Sequence, residues 1–374
     1  MTDSIHESGA AARDLAEKPS LCVINYNGEE FLEDVLSSVL EGGDSEYYGE
    51  VVLVDNGSID GSIALVSGRF PSVRIVKLEE NHGPAAARNA ALRNARSGRV
   101  AMIDNDVIPA PGCFRMLNEA LDGDPAAVLA MPRILYAARP DTIQYDGAHC
   151  HFLGLMALHN ERRDLAGAPT KTRAIGAVVT ACYMIDRARW ECGSPFDESF
   201  FIYLEDLETG IRARAEGHHV LSVPAAQALH REGTRGLSLR RTGVHTKRRV
   251  FCTIRNRWQI LLIHYQAATL VLLAPALLLF EAFQFTGSIA KGWLGEWFRA
   301  AGWMIAHAGE VLTKRRAAQK ARRVPDRDLL EGGPVPFTRE LTAGAVTRAG
   351  LAVLSGATNF WWALVVRLLP GGAR

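Results

Sequence analysis

The chain has 374 residues, of which 48% are hydrophobic and 22% charged, and its formal net charge is +1. So apolar a composition with so little net charge excludes disorder as the main state, and the length allows roughly two to three domains of ordinary size. Six cysteines (Cys22, Cys113, Cys150, Cys182, Cys192 and Cys252) are scattered without a Cys-x-x-Cys pair. That excludes a disulfide framework or a zinc ribbon and points to reduced, packed thiols in a cytoplasmic setting.

Residues 1–20 are polar, of mixed charge and without the apolar stretch of a signal peptide. They read as a flexible arm preceding a cytoplasmic domain. Leu21–Asn25 is a short apolar run that suits a buried parallel strand. Glu29–Leu40 follows with apolar residues at helical spacing. Val51–Val54 is a second buried strand, stopped by Asp55-Asn56-Gly57-Ser58, and a helix runs through Ile63, Val66 and Phe70. Val73–Leu78 is a third strand. Asn81-His82-Gly83-Pro84 opens an alanine-rich helix to Arg96, and Val100–Ile103 is a fourth strand ending in Asp104-Asn105-Asp106.

This alternation predicts a doubly wound α/β sheet, in which ligands bind beyond the carboxyl ends of the strands. The polar clusters fall at those ends. They are Asn25-Tyr26-Asn27, Asp55-Asn56-Gly57-Ser58 and Asp104-Asn105-Asp106. Gly112–Tyr136 reads as a helix and a strand, and Asp141–Arg173 as less regular. An acidic segment, Phe196 to Asp206, leads into a helix through Arg214, and a short strand at Val220–Val223 precedes His230. Asp186, Arg187 and Arg189 read as a solvated turn.

The chain changes character after Arg231. Between Gly233 and Trp258 there are eight Lys or Arg and no Asp or Glu. Ile260–Phe280 is then almost wholly apolar and long enough to span a bilayer, but Pro275 is expected to break or kink a helix there. Basic residues flank this run on both sides, which disfavours a single span. A re-entrant or interfacial hairpin broken at Pro275 is expected instead, with tryptophans at headgroup level. A second apolar run covers Gly350–Pro370; a pair of true spans and a buried helical core are the alternatives.

Two carboxylates at i and i+2 after a buried strand, Asp104 and Asp106, repel one another unless a cation or donors compensate. Mg²⁺ or Mn²⁺, also holding a diphosphate, fits that pattern, and an Asx-rich turn without ligand is the bland alternative. Glu205-Asp206 could be no more than the acidic dressing of a helix N-terminus.

The segments VINYNGEEFLEDVLSSVL, VVLVDNGSIDGS, ENHGPAAARNAAL, MIDNDVIP, FDESFFIYLEDLETGIRARAEGH and VPAAQALH occur in this order from about Leu21 to His230. Together they resemble the inverting GT-A glycosyltransferases of family 2, in the branch with bacterial rhamnosyl- and galactofuranosyltransferases. The resemblance implies a Rossmann-like GT-A domain at 21–232, and the basic and apolar remainder, 233–374, reads as a mostly helical, membrane-associating region. It implies that Asn25, Tyr26 and Asn27 seat the nucleobase and that Asp55, with Asn56, holds the base or ribose. Gly83, Arg88 and Asn89 lie beside the nucleotide. Asp104 and Asn105 meet the ribose or the metal's surroundings, Asp106 is the direct metal ligand, and His230 completes the metal site. Asp206 is implied as the catalytic base, with Glu205 as the fallback. The Arg255-Asn256 pair also looks like that branch, whereas Arg257-Trp258 follows Ile254 in place of the Gln of processive members, implying one sugar per encounter.

The expected function is inverting transfer of one sugar from a UDP- or dTDP-linked donor to a hydroxyl of a lipid-linked acceptor in cell-envelope glycan synthesis, at the cytoplasmic face of the membrane, with Mg²⁺ or Mn²⁺. A nucleotidyltransferase and a non-catalytic membrane scaffold are the rival classes, and a nucleic-acid partner for the basic segment is not expected. His149, His151 and His159 form a loose group that suits an acceptor side or surface better than a zinc site.

Overall fold

The computed structural model describes residues 18–190, 193–231, 246–337 and 344–371. Residues 1–17 of the expected arm, Cys192, and residues 233–245 of the basic segment lie outside these; Ser20 already belongs to the first strand.

The described residues gather into two compact units. The first takes its residues from 1–147, 159–201 and 219–242. It opens with β1 (Ser20–Asn25), α1 (Glu29–Leu40), β2 (Glu50–Asp55), α2 (Ser62–Arg69), β3 (Arg74–Lys77), α3 (Gly83–Asn94) and β4 (Arg99–Asp104). The apolar runs become strands because both sheet faces are covered. Leu21, Cys22, Val23, Val52, Leu53 and Val54 are all fully buried. β5 (Val107–Pro109), α4 (Cys113–Asp122), β6 (Ala127–Tyr136) and β7 (Arg139–Tyr145) follow.

The second unit claims β8 (Ala148–His151) and β9 (Leu155–Leu158). The chain then returns to the first unit for β10 (Arg173–Ala174) and β11 (Cys182–Asp186). α5 (Glu205–Ala215) belongs to the second unit, and β12 (His219–His230) to the first. The large sheet has the order β10-β12-β6-β11-β4-β1-β2-β3. β1, β2, β3 and β4 are parallel, and β11 runs antiparallel between β4 and β6. The sheet is therefore mixed, with the expected doubly wound half at one side.

Three local expectations are corrected here. The 141–173 stretch holds β8, β9 and part of β7, which their short, polar-interrupted sequences concealed. The strand expected at Val220–Val223 runs on to His230, because its irregularity between Val223 and Gln227 lets it stay paired with β6. Asp186 is not in a solvated turn: it is 5% exposed and ion-pairs with Arg99 and Arg189, both at 2.9 Å. The five described cysteines are free and buried, as expected.

The second unit continues with α6 (Lys247–His264), α7 (Ala267–Ala290), α8 (Leu294–Ala306), α9 (Ala308–Ala321), α10 (Asp326–Leu329), β13 (Leu330–Glu331) and α11 (Ala345–Val365). Among the described residues only α7 is long and apolar enough to cross a membrane by length and composition. The expected break at Pro275 is absent, since α7 runs through it. The apolar run breaks instead at Tyr265-Gln266, between α6 and α7. Proline removes a helical N–H and crowds the preceding turn. In that turn the carbonyl of Leu272 accepts a hydrogen bond from the indole of Trp361 at 2.8 Å.

β8 and β9 form a small sheet with β13. His151 on β8 is neither a surface residue nor part of a zinc group. It is fully buried, Nε2 lies 3.0 Å from the Gly333 carbonyl, and burial lowers its pKa from 6.5 to about 4. The unfolded chain therefore takes up a proton there that the folded chain refuses. Stability should fall as pH drops from about 6.5 to about 4, by about 3 kcal/mol at 1.36 kcal/mol per unit. Urea melts across that range check this; His151→Gln should flatten the dependence.

Candidate active site

The parallel pairing sets the site. β1 and β2 are in register with Asn25 opposite Asp55, and β1 and β4 with Ile24 opposite Asp104. Three polar strand ends are thereby brought side by side. Asn25, fully buried, joins them. Its Nδ2 donates to Asp55 Oδ1 at 2.8 Å and to Ser58 Oγ at 3.1 Å, and its Oδ1 accepts from Asn105 Nδ2 at 2.7 Å.

Asp55 is also fully buried and accepts from the Ser58 backbone at 3.0 Å and the Ser58 hydroxyl at 2.5 Å. Asn27 adopts φ 50°; its N–H donates to Ser58 Oγ, and its Oδ1 accepts from Ile59 N. Tyr26 beside it is half-buried. Asn56 accepts from His82 N, and Asn81 Oδ1 accepts from Gly83 N at 2.9 Å. Gly83 has φ +84°, and a Cβ there would meet the Phe201 carbonyl at 2.3 Å.

Arg88, 3% exposed, reaches Asp104 at 3.1 Å and the Thr180 carbonyl at 3.1 Å. Asp104 is thus engaged by a guanidinium. Asn89 lies within the fold: its amide donates to Phe196 O and Glu198 and accepts from Phe196 N. Its side chain holds the 196–198 loop, which differs from the nucleotide contact that the resemblance implied.

Asp106 and His230 meet because β5 pairs antiparallel with the end of β12, His230 opposite Val107. His230 Nε2 is 3.4 Å from Asp106 Oδ1, and its Nδ1 is 2.9 Å from Gln144 Oε1. An amide oxygen only accepts, so Nδ1 carries a proton and Nε2 is the nitrogen that faces the carboxylate. A carboxylate and an imidazole nitrogen side by side are a donor pair of the kind that holds a divalent cation. A hydrogen bond on the far nitrogen is also how metal-binding histidines are oriented.

Among the described residues no three His, Cys, Asp or Glu converge on one point. The donor set therefore fits a divalent cation that takes most of its ligands from water and a diphosphate. Gln144 was missed by sequence reading, because its role depends on a contact 86 residues away.

In the second unit, Glu205 and Asp206 form the first turn of α5. The lead-in is strained: Phe201, Tyr203 and Leu204 have φ of 60°, 68° and 64°, a region costly for side chains with a Cβ. Asn256 on α6, fully buried, donates from Nδ2 to the carbonyls of Ile202 (3.0 Å) and Tyr203 (2.6 Å). Arg249 lies 4.4 Å over the Tyr203 ring. Asp206 is half-buried and accepts from Leu207 N at 2.8 Å, while Glu205 is 5% exposed.

One turn on, Glu208 is buried between Arg212 (2.9 Å) and His264 (3.1 Å). Burial pushes its carboxyl up, but Arg212 and His264 outweigh this and bring the pKa to about 2. Nothing local marked Glu208 as different from its acidic neighbours.

A sheet of this order, with a polar rim on its parallel strand ends and a helical region after it, defines a GT-A-type α/β protein. The chain matches the family model described as "Glycosyl transferase family 2" over residues 20–187. It is 28% identical over 236 residues to the N-acetylglucosaminyl-diphospho-decaprenol L-rhamnosyltransferase of Mycobacterium tuberculosis, covering 55% of this chain and 74% of that protein. It is 37% identical over 94 residues to the putative teichuronic acid biosynthesis glycosyltransferase TuaG of Bacillus subtilis, covering 24% of this chain and only 36% of that one. The fold is shared with GalNAc-T7, crystallised with UDP, GalNAc and Mn²⁺, at 17% identity and a TM-score of 0.55, over 69% of this chain and 50% of that one.

Packing around Asn25 gives a test. A Cβ at Gly28 would lie 2.0 Å from Asn105 Nδ2 and 2.4 Å from Asn25 Oδ1. Gly28→Ala should part that bridge and cost about 1–3 kcal/mol, read by urea denaturation.

Proposed function

We propose that the protein is an inverting glycosyltransferase that moves one sugar from a UDP- or dTDP-linked donor to a hydroxyl of a lipid-linked acceptor in cell-envelope glycan synthesis, at the cytoplasmic face of the membrane. The transferase domain is residues 21–232 and the membrane-associating region 233–374. The observation that carries this reading is the convergence of Asn25, Asp55 and Asp104-Asn105-Asp106 on the carboxyl ends of three parallel strands, with His230 brought to Asp106. The names of the rhamnosyltransferase and teichuronic acid relatives support an envelope glycan as product and, in the first, a lipid diphosphate acceptor.

In this reading the buried Asn25 and Asp55 hold the Asn27 and Asn56 loops in place, and the base and ribose lie against those loops. Gly83, at the start of α3, lets backbone and helix N-terminus approach a negatively charged donor. Arg88 fixes Asp104, and Asn105 ties that turn to β1. Asp106 and His230 hold Mg²⁺ or Mn²⁺, which when bound would offset charge on the departing diphosphate. Asp206 takes the proton from the attacking hydroxyl on the face opposite the leaving group. Its partial exposure suits that role better than the burial of Glu205.

Asp106→Ala and Asp206→Asn should each reduce transfer by at least about a hundredfold, with melting temperatures near wild type; near-normal turnover in either removes that residue from the mechanism. Gln144→Leu should weaken Mn²⁺ binding about 10–100-fold, read by calorimetry with a nucleoside diphosphate present. A thermal-shift screen of sugar nucleotides with Mn²⁺ identifies the donor. If no sugar nucleotide raises the melting temperature or is turned over, the non-catalytic scaffold is the better account.

A further inference from the structure

The proposed membrane-associating region leaves open how α7 meets the lipid, and the side chains around it decide this. Its first fourteen residues, Ala267–Phe280, carry no charge and measure about 21 Å as a helix, against roughly 30 Å of bilayer hydrocarbon. Glu281 then ends the uncharged stretch. It is bound on both oxygens: Oε2 accepts from Arg257 at 2.9 Å and from the Trp258 indole at 3.0 Å, and Oε1 from the Trp297 indole at 2.8 Å. Arg257 is 1% exposed and donates its Nε to the Leu153 carbonyl at 2.7 Å.

This clamp ties α7 to α6 and α8 and to the β8–β9 turn. For α7 to cross a bilayer, Glu281 would have to carry a buried guanidinium, two indoles and part of a sheet with it.

α11 lies antiparallel to α7, since Trp361 bonds the Leu272 carbonyl at one end and Gly350 sits beside Phe283 at the other. Val271 and Leu278 on α7 and Val353 and Phe360 on α11 are each 69–73% exposed. From residue 246 onward the chain has eighteen Lys or Arg and seven Asp or Glu. An apolar face too short to span, indoles at its base and a surplus of cations match one leaflet of an anionic bilayer.

We propose that α7 and α11 form a monotopic seat. The Ala267–Phe280 half of α7 enters one leaflet of an anionic phospholipid membrane, and the Glu281 clamp holds the rest of the helix at headgroup level. The seat rests on the membrane-associating part of the proposed function and fixes its topology.

Two measurements on the full chain test it. Ala267→Cys and Ala290→Cys sit at exposed opposite ends of α7. In intact bacterial spheroplasts an impermeant maleimide should label neither above the wild-type background, and after detergent lysis both. Labelling of one end alone in intact spheroplasts means a span and overturns the seat. In flotation with phosphatidylcholine vesicles containing phosphatidylglycerol, the wild-type chain should float. The Leu278→Asp/Leu279→Asp variant should lose at least about tenfold in partitioning with an unchanged melting temperature, both residues being exposed. A wild-type chain that does not float, or a variant that floats equally well, overturns the proposal. Loss of sugar transfer in a chain that still floats and labels as expected would count against the proposed activity and leave the seat standing.

Discussion

The polar rim depends on one buried amide. Asn25 has no exposed surface, and its two ends reach the carboxylate that closes β2 and the amide that follows β4. A group so buried is tolerable only when fully satisfied, so its partners are not interchangeable. Because parallel pairing sets their register, a slip of one residue would turn every side chain of the strand to the opposite face and leave Asp55 buried without its donor. The stability of the sheet and the placement of the proposed nucleotide contacts are thus one problem with one solution.

The two acidic centres are built by different physics. Around Asp106 the sheet does the work: an antiparallel pair of strands delivers His230, and a glutamine from further along the chain sets its tautomer. Around Asp206 the backbone is held in left-handed conformations that cost about 1–3 kcal/mol each, offset by the amide of Asn256 on two successive carbonyls. Glu208, one turn later, anchors the same helix through Arg212 and His264. An acidic first turn can therefore be presented without the helix depending on those acids for its own docking.

Much of this was legible in the chain itself. The first four strands and three helices were fixed by short apolar runs, helical spacing and Gly/Asx punctuation, and the observed ends fall within two residues of those expected. Asn25, Asp55, Asp104 and Asp106 were visible because each closes an apolar run. What local sequence could not supply were partners chosen by tertiary structure. Gln144 lies in a stretch without clear periodicity. Asn89 and Asp186 sit in polar surroundings that conceal their burial, and nothing in the sequence around Pro275 shows that the helix continues through it. The Glu281 clamp could not be read either, since a lone acid in an apolar helix says nothing of what awaits it.

The path of the chain between its compact units has a practical consequence. Segments 148–158 and 202–218 leave the large sheet's unit to join the helical one. There β8 finds β13, Asn256 caps the Ile202 and Tyr203 carbonyls, and His264 meets Glu208. A polypeptide severed after residue 231 would keep these two excursions while discarding everything they fold against. The chain up to residue 231 is thus not a detachable module, and grafting it onto a foreign carboxyl-terminal half would require that half to supply a strand, an asparagine and a histidine in the same places.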